Sequence, residues 1–367
     1  MKQLFSNYIF ENPLPQLYAK GSAFPNVCEL EPEHLIAAHQ IGQAFESVDG
    51  TTYLSESLDG GRTWSAPQRV FPASENSRPM SDCAKISRLP DGRLALLGYT
   101  FYRDNPDLPL ANPETGGLLD DEVFYAVSVD HGKTWTKKLM VPTTWNGHTE
   151  ASAPLYILQD GSWATPIAPF PKWDGTFTSR VCGRLLRSTD QGKTWDDATV
   201  CMEFPGDGTT CYEQRMCQMR DGMLVVIGWN EDLKSGRLLN NHVTISTDNG
   251  KTFSLPIDTN IHGQASSILA LDDTHVLSLH ALRRDTDRPG IYACIADVSG
   301  GKWNAECVEC IWEPQTPIVK NDKMAEIFAF LKFGQPGGVL LSDGSVMMTH
   351  WVCEEGIYKT VATRLSI

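Results

Sequence analysis

No run of lysines and arginines occurs anywhere in these 367 residues, and acidic side chains outnumber basic ones by 45 to 31, for a net charge of −14. Nucleic acid and anionic membrane surfaces both select a basic patch, so neither is expected as a partner. Long apolar runs are missing too. The opening Met1-Lys2-Gln3-Leu4-Phe5-Ser6-Asn7-Tyr8 has no hydrophobic core for a signal peptide, and no later stretch is apolar enough to span a bilayer. A cytoplasmic protein is expected. The ten cysteines form no framework. Cys307-x-x-Cys310 lacks the second half that a zinc site needs, and on a strand its spacing sends the two thiols to opposite faces. Reduced, mostly buried cysteines are the expectation, with no metal. Helix signals are sparse, residues 322–327 being the best short candidate, and no composition break separates a second domain from the first. Residues 1–367 read as one domain.

What the chain has in abundance is one short phrase. It reads Ser57-Leu-Asp59-Gly-Gly-Arg-Thr63-Trp64, Ser128-Val-Asp130-His-Gly-Lys-Thr134-Trp135, Ser188-Thr-Asp190-Gln-Gly-Lys-Thr194-Trp195 and Ser246-Thr-Asp248-Asn-Gly-Lys-Thr252-Phe253. A degraded copy is Asp297-Val-Ser-Gly-Gly-Lys302-Trp303. Spacing of about 50 to 70 residues between copies implies an array of like units. Each copy lies between β-prone runs and reads as a hairpin turn. The Asp accepts backbone N–H groups, the Gly takes a positive φ, and the closing aromatic anchors the turn. That turn accounts for every fixed position, so Asp59, Asp130, Asp190 and Asp248 are assigned no catalytic role.

The phrase S-x-D-x-G-x-T-W is the Asp-box, and by these copies the chain resembles the sialidase-like β-propeller superfamily. The implied fold is all-β, a six-bladed propeller of four-stranded antiparallel blades. Strand pairs are expected over 26–40, 83–99, 152–168, 215–229, 266–281 and 333–351, several turning at an Asp-Gly dipeptide. The last unit runs out after its third strand, and residues 2–11 are expected to supply the fourth and close the ring. The insert at 103–119, with Pro106, Pro109 and Pro113, reads as a lid or rim loop.

In such a fold, first-strand starts and second-strand ends face a central mouth. Those positions collect Asn26, Arg78, Asp82, His148, Glu150, Tyr212, Glu213, Arg215, His262, Gln264 and Gln335 from the starts. The ends add His39, Gln40, Tyr99, Tyr102, Arg103, Phe170, Trp229, Asn230, Glu231, His280, Arg283, Arg284, His350 and Trp351. Carboxylates, guanidinium groups and aromatics together suit a sugar, which stacks on rings while polar groups fix its hydroxyls. Asp82, Glu150 and Glu213 open three successive inner strands and are the carboxylates that would catalyse. Tyr212 activated by Glu213 is a weaker arrangement, because neighbours on a strand point to opposite faces.

The resemblance implies more. Sialidases grip a substrate carboxylate with three arginines, use a Tyr nucleophile with a Glu beside it, and use an Asp as acid/base. The matching positions here hold Glu213 for the Glu, Arg288 for one arginine, and Glu46 or Asp49 for the acid/base. They depart at Ala23 and Trp229, where arginines are expected, and at Phe333-Gly-Gln335-Pro336, where the nucleophile is expected. Sialic acid is therefore not the expected substrate. The expectation is a glycoside hydrolase acting on a terminal sugar, acidic ones included, with Glu213, Asp82, Glu150 and Asp49 as catalytic candidates. The sugar-binding candidates are Arg288, Arg215, Arg78, Tyr212, Trp229, His39, Gln264 and Trp351. No cofactor is required. Two other readings stay open: a non-catalytic propeller that binds sugar or protein, and a uronate lyase with His148, His262 or His350 as base.

Overall fold

The computed structural model describes every residue except 76, 207, 316, 317 and 319–330. The helix expected at 322–327 lies outside the described residues. Six four-stranded antiparallel sheets follow one another along the chain as the blades of a propeller. The first is built from Gly21–Glu31, His34–Gly42, Thr51–Ser57 and Gln68–Arg69, and the second from Met80–Arg88, Leu94–Tyr102, Asp121–Ser128 and Leu139–Val141. Thr149–Glu150, Trp163–Pro169, Gly183–Ser188 and Asp196–Met202 form the third, with Tyr156–Ile157 also pairing to its second strand. The fourth comprises Tyr212–Gln218, Leu224–Trp229, His242–Ser246 and Ile257–Asp258. Ser266–Ala270, His275–Leu282, Gly290–Asp297 and Asn304–Trp312 make the fifth. The sixth joins Phe333–Leu340, Val346–Glu354 and Ile357–Ser366 to Lys2–Phe10, as the closing-strand argument required.

The Asp-boxes are turns of the kind their composition demands. In the first, Asp59 Oδ1 accepts the Thr63 N–H at 2.8 Å, Asp59 Oδ2 accepts the Thr63 hydroxyl at 2.6 Å, and Ser57 Oγ accepts the Gly61 N–H at 2.8 Å. The same bonds recur at Asp130, Asp190 and Asp248. These donors hold the Asp59, Asp130 and Asp190 carboxyls down to a pKa of about 2. Gly61, Gly132, Gly192 and Gly250 sit at φ of 92°, 84°, 87° and 78°, which a side chain would strain.

Two compact units emerge. One comprises Met1–Leu155, Phe170–Thr178 and Val339–Ile367; the other comprises Tyr156–Pro169 and Ser179–Gly338. Each has its own apolar clusters, and four closing aromatics of the Asp-boxes pack on them. In the first unit Trp64 packs on the cluster that contains Val27, Leu35 and Met347, and Trp135 on the one that contains Ile36, Leu94 and Phe124. In the second, Phe253 packs on the cluster that contains Leu185 and Leu224, and Trp303 on the one that contains Val276 and Val298. The cysteines form no disulfide, and eight of the ten are buried.

One backbone feature repeats where the inner strands begin. Phe24, His148, Glu213 and Gln335 have φ of 56°, 50°, 44° and 46°, a left-handed conformation uncommon for residues with a Cβ. They open the inner strands of the first, third, fourth and sixth blades. The pairing register slips at the same place in two of them, between Ala23 and Asn26 and between Tyr212 and Arg215. A bulge of this type re-aims a side chain, and it costs of the order of 1–3 kcal/mol that the surrounding sheet must offset.

Candidate functional site

Glu213 is the best-built candidate, and the elements that hold it belong to the second unit. Its bulge breaks the strand alternation, so the argument that Tyr212 and Glu213 point apart does not hold: both side chains meet Trp229. The Trp229 indole N–H donates to Glu213 Oε2 at 2.9 Å, and the Tyr212 ring lies edge-on to the indole with centroids 5.4 Å apart. The other oxygen is taken by Gln335, whose amide nitrogen donates to Oε1 at 2.6 Å. Each oxygen of Glu213 thus accepts a neutral N–H donor, which fixes the carboxyl group in place. Trp229 stands where the resemblance expects an arginine, and Gln335 where it expects the nucleophile's strand. A Glu of the fourth blade thus meets the sixth-blade strand through an amide.

Four arginines of this unit have partners other than Glu213. Arg283 donates to Gln264 Oε1 at 2.7 Å and to the Phe333 carbonyl at 2.6 Å, which accounts for Gln264 as a positioning group. Arg284, 4% exposed, pairs with Glu231 at 3.3 Å. Burial pushes the Glu231 carboxyl above its ordinary pKa, against the pull of Arg284. Arg215 is buried and donates to the Gln214 carbonyl, and Arg288 is exposed and pairs with Glu313.

In the first unit the expected site residues separate into different roles. Asp82 is buried, and its two oxygens accept from the Thr52 N–H, the Thr52 and Thr51 hydroxyls and the Lys138 ammonium, all within 2.9 Å. Such a carboxylate ties the first blade to the second and has no capacity left for a substrate. Asp49 is exposed and caps a turn by accepting from Gln43 N–H and Ser47 Oγ. Glu150 is 1% exposed and accepts the Ser152 N–H. Arg78 is exposed, pairs with Asp104 and lies over the Tyr102 ring at 3.8 Å. His39 is a core residue: fully buried, bonded through one nitrogen to Ser22 and through the other to Ser55. Trp351, 1% exposed, belongs to an aromatic cluster with Phe24 and Phe45, and Phe45 stacks on Tyr358 at 4.8 Å. That cluster adjoins Ala23, where an arginine is expected by resemblance. Of the lyase bases, His350 is fully buried, His262 is half-buried near Asp285, and His148 has Nε2 at 3.3 Å from Asp120.

Asp121 was not singled out by its sequence context. It opens a third strand, is 2% exposed, and accepts the Thr149 N–H at 2.8 Å through Oδ1. Its Oδ2 is buried without a hydrogen-bond partner among the described residues. Burial, with Asp120 and Glu150 adding to it, pushes its pKa well above the carboxylate range. Among the described residues no group of three or more His, Cys, Asp or Glu could hold a metal ion, and no helix is long and apolar enough to cross a membrane.

Blades, Asp-box turns and the Lys2–Phe10 closing strand define a sialidase-like β-propeller. The family model for the BNR repeat-like domain matches residues 108–308, more than half of the chain, and the chain belongs to that family. Among solved structures it is similar over 100% of its length to 99% of a protein of unknown function from Dyadobacter fermentans, at 17% identity and a TM-score of 0.76. The NanB sialidase of Streptococcus pneumoniae aligns over 99% of this chain and 70% of its own, at 12% identity and a TM-score of 0.67. Trypanosoma rangeli sialidase in complex with the inhibitor DANA aligns over 94% of this chain, at 18% identity and a TM-score of 0.62. This chain spans about half of that sialidase, 55% of its length. At these identities the likeness is one of fold. No protein with a curated description matches the chain.

Proposed function

We propose that the protein is a carbohydrate-active enzyme that hydrolyses a terminal glycosidic bond of a small carbohydrate, with Glu213 as its catalytic carboxylate. The observation that carries this reading is the double anchoring of Glu213 by Trp229 and Gln335 on a strained bulge beside Tyr212. Strain and fixed orientation at one carboxylate are what a preorganised catalytic group requires. Glu213 acts as a base toward water, since the sixth-blade strand presents an amide and not a phenol to it. A glycosidase also needs a carboxyl that keeps its proton, the two being pushed apart by their surroundings. The Glu231 carboxyl, raised by burial and paired with Arg284, lies in the same unit.

The test is hydrolysis of a panel of aryl glycosides, neutral hexosides, uronides and a sialoside, by the wild-type protein and by Glu213→Gln. Turnover of any member, lost in the variant at an unchanged unfolding midpoint, supports the reading. Absence of turnover across the panel with sugar still bound would replace it with a non-catalytic sugar-binding propeller.

A further inference from the structure

We infer that a cavity in the first unit binds a tetrahedral oxyanion, the phosphate or sulfate group of a small molecule, between Arg69 and Lys133. The site shares no residue with the Glu213 reading and does not depend on it. The cavity, of about 60 Å³, lies where the outer strand of the first blade meets the Asp-box turn of the second. One water needs roughly 10–15 Å³ of such space, so a group of four oxygens fits and a whole sugar does not. Gln68 and Arg69 line it from the strand, Lys133 and Trp135 line it from the turn, and no acidic side chain lines it.

The charges around the cavity decide the ligand. Arg69 donates its Nε–H to the Phe71 carbonyl at 2.8 Å, which anchors the guanidinium and leaves its terminal amino groups without a partner among the described residues. Lys133 has no ion pair and no side-chain hydrogen bond among the described residues, and the Gln68 amide has no hydrogen bond either. Two carboxylates lie near in sequence, and both are engaged. Asp130 accepts the Thr134 N–H, the Thr134 hydroxyl and the Ser128 hydroxyl, and Glu56, on the strand that supplies Leu54 to the lining, is paired with His34. Two cations without carboxylate partners thus line one cavity of a chain whose net charge is −14. An oxyanion satisfies them through charge-assisted hydrogen bonds: the arginine fork meets two oxygens of one group, and the lysine adds a point charge. The lining is also firmly set. Buried Leu54 belongs to the apolar cluster on which Trp135 packs, and the Trp135 N–H donates to the Gly132 carbonyl at 3.1 Å. Trp135 is therefore a fixed reporter at the cavity wall.

The experiment titrates the full chain with inorganic phosphate, inorganic sulfate, glucose 6-phosphate and glucose 6-sulfate, with chloride holding the ionic strength constant. Binding is read by calorimetry and by Trp fluorescence. The expected result is saturable binding of at least one of the four, weakened about 10-fold or more by Lys133→Ala, the loss of one charge-assisted hydrogen bond. Arg69→Ala has a similar effect. Trp135→Phe abolishes the fluorescence change while calorimetric binding persists. Lys137→Ala, at an exposed lysine outside the lining, leaves binding within about 2-fold of wild type. Lys133→Ala breaks no described bond, so it tests the site even where Arg69→Ala loosens the strand. A sugar ester that binds more tightly than its inorganic anion makes the ligand an esterified sugar, and equal or weaker binding makes it the free anion; either result sustains the inference. No saturable binding below about 50 mM, or binding that Lys133→Ala leaves intact, overturns it.

Discussion

Gln335 donates its side-chain amide to Glu213 at 2.6 Å, joining residues 122 positions apart at the starts of two inner strands. Both have left-handed backbones, with φ of 46° and 44°. If this bond orients the catalytic carboxylate, Gln335→Ala lowers kcat/KM about 10-fold or more while leaving KM nearly unchanged, the cost of one charge-assisted hydrogen bond. Trp229→Phe, which keeps the ring and deletes the N–H, has a similar effect. Gln335→Glu does more, because two adjacent carboxyls cannot both ionise, and one is driven up in pKa. The acid limb of the pH–rate profile then moves upward by a unit or more. Steady-state kinetics from pH 4 to 8, a range chosen to span about two units on either side of a typical shifted carboxyl, reads all three.

The Asp-box carboxylates are held by turn donors, and removing one loosens a turn without touching the site. Asp59→Ala is expected to lower the unfolding midpoint by several degrees and to leave sugar hydrolysis unchanged. The pKa of about 2 for Asp59 lies below its unfolded value, so its contribution is present above pH 4 and is lost as pH falls toward 2. Thermal melts at pH 7 and pH 3 show a difference between wild type and variant that shrinks at the lower pH.

Acid stability is set more strongly by three buried histidines. His39, His280 and His350 all have pKa values lowered to about 3 by burial. In the unfolded chain they take up protons from about pH 6.5 downward, and in the folded chain they do not until about pH 3. Stability therefore falls as pH drops through that window, with a limiting slope of roughly 4 kcal/mol per pH unit for three groups. Denaturant unfolding between pH 7 and 4 measures it. His39→Gln, which keeps polar partners for Ser22 and Ser55, reduces the slope by about one third.

Asp121 carries the opposite sign. Its folded pKa is raised, so its contribution weakens as pH rises above the unfolded carboxyl value. Asp121→Asn removes the ionisation and keeps an acceptor for the Thr149 N–H, so the variant is expected to melt a few degrees higher than wild type at pH 7. Scanning calorimetry at pH 7 and at pH 4 checks both the gain and its decline in acid.

The blades were legible because their signals are local. An Asp-box fixes its own turn through neighbouring Ser, Thr and Gly, and Asp-Gly dipeptides mark the hairpins between inner strands. The closing strand was legible from a count of strands in the last unit. The site was less so. Glu213, Trp229 and Tyr212 could be named from their place in the fourth blade, but the amide of Gln335 joins them through long-range folding. The bulge at Glu213 changes side-chain direction in a way that strict alternation cannot foresee. Alternation also fails to separate solvent-facing positions from those buried between elements, and His39, Trp351 and Asp82, at inner-strand ends by sequence, are buried. Asp121 opens a third strand, a place where no rule of inner-strand ends looks.

The most direct measurement of the central claim is chemical rescue of Glu213→Ala on the aryl glycoside that the wild-type protein cleaves fastest. Loss of a catalytic base costs about 10²–10⁴-fold in rate. The account predicts a loss of that size with the unfolding midpoint retained, and partial recovery on adding azide or formate, small anions that occupy the vacated carboxylate position. A folded Glu213→Ala protein that hydrolyses the glycoside at the wild-type rate would contradict it.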